Sequence, residues 1–199
     1  MHDVGIYENL ILGIHFLLLK KCKIFDEKTI VTCYTGRSMR IKVRKHERRG
    51  YQSIKMSNIL EKQFLKQRND FEKSCVERDK KYHFPQGVIF ETDIAYAKDK
   101  NKAHRLDRYR PKGKEAQILP VIINVHGGGL LLGNKEFNKY FCALLSKKGF
   151  LVYSMEYRLI PDCTFFDQLR DIFLAMDFVK EHAAADGGDL SHVYLVGDS

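Results

Sequence analysis

His192-Val193-Tyr194-Leu195-Val196-Gly197-Asp198-Ser199 is the stretch on which the reading of this chain turns. The apolar run Val193 to Val196 delivers the chain into Gly-x-Ser. An apolar strand that breaks this way is half of a strand-to-helix turn, Gly-x-Ser-x-Gly, which presents a serine hydroxyl as nucleophile. Gly197 lets the turn tighten, Asp198 is the intervening residue, and Ser199 is the candidate nucleophile. A second apolar run, Leu119–Val125, enters His126-Gly127-Gly128-Gly129. Three glycines reach conformations closed to other residues and let backbone N–H groups approach a ligand closely. Such N–H groups can bind a developing oxyanion. Either motif alone could be an ordinary loop. Their order is the specific signal, because each closes an apolar strand and the second follows two crossover units after the first.

The rest of the chain supplies those units. Asn58 and Glu61 are spaced as a capping box. Leu60, Phe64, Phe71 and Cys75 then follow at helical spacing, so an amphipathic helix is expected over 58–80. Val88, Phe90, Thr92, Ile94 and Tyr96 alternate with more polar neighbours, the period of a half-buried strand, and 104–110 can be its return. Leu119–Val125 reads as a strand buried on both faces. Helices are expected over 136–148, closed by Gly149, and over 165–182, with Phe166, Leu169, Ile172, Phe173, Met176 and Val179 on one stripe. Strands are expected over 150–157 and 192–196. Strand, helix, strand, helix, strand argues for an α/β fold, a mostly parallel sheet with right-handed crossover helices.

The chain has 199 residues and a formal net charge of +9. Of its 34 Lys and Arg, 12 fall in residues 1–55 with only 5 of the 25 Asp and Glu, so the remainder is near neutral. The basic balance therefore belongs to the N-terminal segment. A nucleic-acid arm over 20–55 would need stacking aromatics or a recognition motif; aromatics are few there and no recognition motif is present, so no nucleic-acid partner is expected. Leu10–Leu19 is apolar apart from His15, about half the length of a membrane span. It lacks the basic flank and cleavage site of a signal peptide. No membrane span is expected. Cys22, Cys33, Cys75, Cys142 and Cys163 form no Cys-x-x-Cys, which speaks against a zinc site or disulfide framework and for a reducing, cytoplasmic setting. Residues 1–55 read as a basic extension: either upstream of a natural start at Met56, or a poorly ordered native arm.

A third motif narrows the class. Glu156-Tyr157-Arg158-Leu159-Ile160-Pro161-Asp162 resembles the Asp-Tyr-Arg-Leu-Ala-Pro-Glu signature of the hormone-sensitive-lipase-like carboxylesterases, the α/β-hydrolase fold-3 group. That group also carries His-Gly-Gly-Gly and Gly-Asp-Ser-Ala-Gly, and the resemblance covers roughly 86–199. It implies a serine hydrolase of short-chain carboxylic esters with a small-molecule ester as partner and no metal or organic cofactor. Ser199 would be the nucleophile and Gly128 and Gly129 the oxyanion donors. His126 and Gly127 would shape that loop, and the catalytic base would lie far downstream of the serine. Region 56–84 resembles the group's cap over the acyl pocket, and 85–199 the N-terminal half of the hydrolase domain.

The sequence departs from that pattern in two ways. Glu156 stands where Asp is usual. The sequence also stops at the nucleophile elbow, so the fold is expected to be incomplete at its C-terminus and this chain inactive alone. Asp171, Asp177 and His182 read as helix-surface charges and His192 as a strand-entry residue, none of them a triad substitute. The alternative reading is a non-catalytic α/β-hydrolase-like protein that binds a ligand or a partner. Oligomeric state is left open.

Overall fold

A computed structural model describes residues 58–198, together with the backbone of β1 (Ile30–Val31) and β2 (Met39–Arg40), which pair antiparallel. The apolar run at 10–19, the start at Met56, the readings of the 1–55 segment and Ser199 itself lie outside the described residues.

The main sheet has five strands: β3 (Val88–Ala95), β4 (Arg105–Pro111), β5 (Leu119–Val125), β6 (Leu151–Met155) and β7 (Gly188–Gly197), in the order β3-β4-β6-β5-β7. β6, β5 and β7 run parallel to one another, as the alternation of strand and helix requires. β3 and β4 form a hairpin, and β4 joins the sheet antiparallel to β6. The sheet is thus parallel from Leu119 onward and mixed overall.

Two helices make the crossovers. A 3-10 turn at Lys135–Asn138 leads into α2 (Lys139–Lys147), and α3 is Phe165–His182. They cover opposite faces. Residues of β5 alternate between two clusters: Val121 and Ile123 pack with Ala175, Met176 and Val179 of α3, while Ile122 packs with Cys142, Ala143 and Leu145 of α2. A strand apolar on both faces reads as the continuous run seen in the sequence. Gly149 ends the α2 unit with φ +104° and its N–H on Ser146 O, a backbone shape in which glycine is favoured.

Helix α1 (Asn58–Lys81) occupies the span expected from the sequence. Its inward positions are Phe64, Arg68, Phe71, Cys75 and Arg78, so two arginines sit on its inner stripe, whereas Leu60 is exposed.

Three local expectations are corrected. The 136–148 helix begins as a 3-10 turn. The β3 alternation breaks at a bulge between Glu91 and Ile94, where Asp93 takes φ +59° and gives its N–H to Asp107 Oδ1 at 3.0 Å, which leaves Thr92 exposed. The buried face of α3 is Gln168, Asp171, Ala175, Met176 and Val179, and Phe166 is 65% exposed. The helix is rotated toward two polar side chains because both have fixed partners inside.

Candidate active site

Parallel pairing sets the site. Val125 and Gly197 are register partners at the C-terminal ends of β5 and β7, so the glycine loop and the elbow leave the sheet side by side. Open α/β sheets bind ligands at this edge of the strands. The two turns are tied directly: Asp198 Oδ1 accepts the Gly127 N–H at 3.0 Å and the Asn138 amide at 2.7 Å. A Cβ on Gly127 would lie 2.8 Å from the Asp198 carbonyl carbon, so only glycine permits this approach.

Beyond Gly127 the loop turns back sharply. Gly128 has φ +125°, and a Cβ there would fall 2.2 Å from Leu132 O. Its own carbonyl accepts the N–H groups of Leu131 and Leu132. Gly129 follows at φ +60° with open space where a Cβ would stand. Among the described residues none accepts the N–H of Gly128 or Gly129.

His126 is a structural member of this loop. Its ring is buried and stacks on Tyr157 at 4.3 Å, with Nε2 2.8 Å from Glu156 Oε1 and Nδ1 2.9 Å from Gly127 O. The Tyr157 hydroxyl donates to His126 O at 2.7 Å, and burial pushes its pKa up. Glu156 uses its second oxygen to accept the Lys135 N–H at 3.0 Å. One carboxylate therefore grips both ends of the loop, 126 and 135.

Lys135 is itself buried. Its ammonium lies 2.9 Å from Asp107, 3.0 Å from Asp93 and 2.5 Å from Glu136. Burial works against its charge, but these carboxylates outweigh it and raise its pKa. Burial likewise raises the Asp107 carboxyl, against the pull of Lys135. Asp107, Ser154 and Asn124 are register partners across β4, β6 and β5, so a buried polar row leads from Lys135 toward the glycine loop.

Arg158 is not at the glycine loop. Its Nε and Nη2 bind the two oxygens of Asp171 at 2.9 and 2.7 Å. Asp171 is fully buried and also meets His104 Nε2 at 3.1 Å, which corrects its reading as a helix-surface charge. Pro161 follows a cis peptide on the same loop, where the Ile160 N–H binds Leu130 O. Gln168, buried on α3, gives its amide to Leu130 O and Arg158 O, 2.9 Å each. His192 lies midway along β7, which begins at Gly188, so it is not the strand-entry residue expected; it is exposed, five residues before Gly197 and 2.7 Å from Asp189.

Sequence reasoning missed Asn138, Lys135 and Gln168. Only Asn138 had a legible signal, a polar residue closing the loop after the glycines. The other two are polar residues inside, which composition and periodicity cannot flag.

The geometry has relatives. A family model described as BD-FAE matches residues 106–199. An isoprenylcysteine alpha-carbonyl methylesterase of Arabidopsis thaliana is 31% identical over 96 residues, 48% of this chain and 22% of its own length. Esterase B of Lactobacillus rhamnosis superposes with a TM-score of 0.67 at 29% identity, over 71% of this chain and 46% of that one. Residues 106–199 are thus similar to esterases of the α/β-hydrolase fold. Another solved esterase is similar too: a bacterial heroin esterase gives a TM-score of 0.60 at 27% identity, over 68% of this chain and 43% of that one. A chloroplastic tuliposide A-converting enzyme of Tulipa gesneriana is 33% identical over 92 residues, 41% of this chain and 24% of its own length. The chain spans less than a quarter of the length of these curated relatives and less than half of the solved esterases. Among the described residues no helix is long and apolar enough to cross a membrane, and no His, Cys, Asp and Glu cluster could hold a metal.

Proposed function

We propose that the protein hydrolyses short-chain carboxylic esters, with Ser199 as nucleophile and the N–H groups of Gly128 and Gly129 as oxyanion donors. The observation that carries this is the pairing of Val125 with Gly197, reinforced by the Gly127 to Asp198 bond. It holds two N–H groups without acceptors among the described residues beside the turn that ends one residue short of the serine. The Ser199 oxygen would attack the ester carbonyl while its proton passes to a base. The carbonyl oxygen would become an oxyanion facing the glycine N–H groups, and the alcohol would leave with a proton. Water would then release the acid from the acyl-enzyme.

The base is assigned outside the described residues, downstream of the serine as the family resemblance implies; His126, His104 and His192 are engaged by Glu156, Asp171 and Asp189 instead. Helix α1 is assigned as a cap over the acyl side. Short acyl groups are favoured because Esterase B was captured with a C4-C4 tributyrin phosphonate. The free Cys75, Cys142 and Cys163 fit a cytoplasmic setting.

The test is labelling by a fluorophosphonate probe, with hydrolysis of p-nitrophenyl butyrate, in protein expressed from the whole gene. Wild type should gain the probe mass on Ser199, and Ser199→Ala should lose both label and turnover. A folded wild-type protein that takes no label would sink the enzyme reading and leave a binding protein.

A further inference from the structure

The inner stripe of α1 contains an arginine where the apolar spacing calls for another hydrophobic residue. Arg68 lies between Phe64 and Phe71, and its side chain is only 14% exposed. Its guanidinium spends its donors on three partners from two loops. Nε donates to Leu131 O at 2.9 Å, Nη1 to Asp162 Oδ2 at 2.7 Å, and Nη2 to Ile160 O. Leu131 belongs to the turn that orients the oxyanion donors, since both its N–H and that of Leu132 close onto Gly128 O. Ile160 is bonded to the same turn through its N–H on Leu130 O. Leu130, at φ +69°, is a non-glycine residue in the left-handed region and needs outside support to stay there.

That support comes from two sides. Gln168 holds Leu130 O from within the hydrolase core. Arg68 holds the neighbouring carbonyl from α1. Further contacts of α1 lie along the helix: Phe71 against Phe137, Arg78 on the carbonyls of Phe137 and Glu136, and Asp79 on Lys139. Ile59, Leu60 and Leu65 are exposed. The N-terminal half of α1 is thus held less by apolar burial than by a guanidinium on loop carbonyls. Such contacts are directional and readily reversible, and Asp162, 64% exposed, adds little to them.

We propose that Arg68 is a positioning residue through which docking of α1 sets the oxyanion loop. The helix and the loop then share one equilibrium. When α1 is seated, Leu131 is pinned and the Gly128 and Gly129 N–H groups are aimed. When α1 lifts, the loop loses the support that Leu131 O receives from Arg68 and keeps only those on Leu130 O. Cap position and the shape of the oxyanion turn are coupled through this side chain. The inference rests on the esterase reading for its consequence, but its structural half stands apart from it.

The experiment is site-resolved hydrogen exchange on the full protein, in wild type, Arg68→Ala and Arg68→Lys. The reporters are the amides of Leu131, Leu132 and Ile160. In Arg68→Ala their exchange should rise about tenfold, the size expected for losing a net hydrogen bond or two, while Ile122–Asn124 and Val152–Ser154 keep wild-type protection. Arg68→Lys, with one compact ammonium, should give a smaller rise. Millimolar guanidinium ion, which can re-enter the space left by Arg68→Ala, should restore protection. In the activity assay kcat should fall roughly ten- to a hundredfold with KM changed far less, and guanidinium should recover it. Unchanged loop exchange in Arg68→Ala, or a rise spread equally over the core strands, would overturn the proposal. Loosening of the loop in a protein whose wild type takes no fluorophosphonate would instead sustain the latch and remove the esterase reading.

Discussion

Adjacent glycines of the loop carry different loads, and substitution separates them. At Gly128 a methyl group would meet the Leu132 carbonyl at 2.2 Å on a backbone with φ +125°. Strain and overpacking both act there, so Gly128→Ala should cost about 3 kcal/mol and abolish any oxyanion function. At Gly129 the same methyl meets nothing within 4 Å, and only the left-handed backbone opposes it. Gly129→Ala should therefore cost about 1 kcal/mol. Urea titrations of the two variants check this ordering. Equal losses would mean that the loop is not shaped as described. The glycine run was legible in the sequence because three such residues in a row are a strong local signal. Its supports were not. Lys135 and Gln168 look like any surface residue until tertiary structure buries them against Asp107 and Leu130. The Glu156 side chain is a related case. Its reach to both His126 and the Lys135 N–H gives this substituted position a visible task.

Helices show what local sequence encodes well. The α3 boundaries, Phe165–His182, coincide with the expected span because a local device marks the start. Thr164 Oγ1 accepts the Asp167 N–H, and Asp167 Oδ2 accepts from the Thr164 N–H and hydroxyl at 2.9 and 2.7 Å. Thr164→Ala should lower stability by about 1 kcal/mol at neutral pH. The Thr164 hydroxyl and N–H hold the Asp167 carboxyl below its ordinary value. A depressed folded pKa gives stability that is complete above the ordinary aspartate value of about 3.9 and fades as pH drops through the folded value. The gap between wild type and Thr164→Ala should thus narrow as pH falls below the ordinary aspartate value, read from thermal melts at neutral and acid pH. A gap independent of pH would remove Asp167 from the cap. The buried face of α3 was less legible than its ends. Hydrophobic periodicity placed Phe166 inward, yet Gln168 and Asp171 face the core, since each finds partners that no sequence pattern displays.

At the scale of the molecule, the strand and helix order was readable because period and turn signals are local, and parallel pairing with opposite-face crossovers follows from that order. The polar network linking the layers was not, because its members are 67 residues apart in the case of His104 and Asp171. Asp171 on α3 binds Arg158 of the motif loop and His104, which in turn meets Asp99 of the β3–β4 turn at 2.7 Å. One fully buried carboxylate therefore joins a helix, a loop and a hairpin. Taking two charges from water is costly, and the network repays this only while each member keeps its partner. Removing Asp171 would leave His104 half-satisfied and Arg158 facing a void. Arg158 is 28% exposed and can turn to solvent, which limits the damage. Asp171→Ala should accordingly cost about 3 kcal/mol, at the lower end for a broken buried pair. His104→Ala should cost less by itself, and the double variant should lose at least about 1 kcal/mol less than the sum, because both changes break the same contact. Urea unfolding of the three variants gives the cycle. Strict additivity would show that the hairpin and α3 are stabilised separately and that the His104 to Asp171 contact contributes nothing of its own.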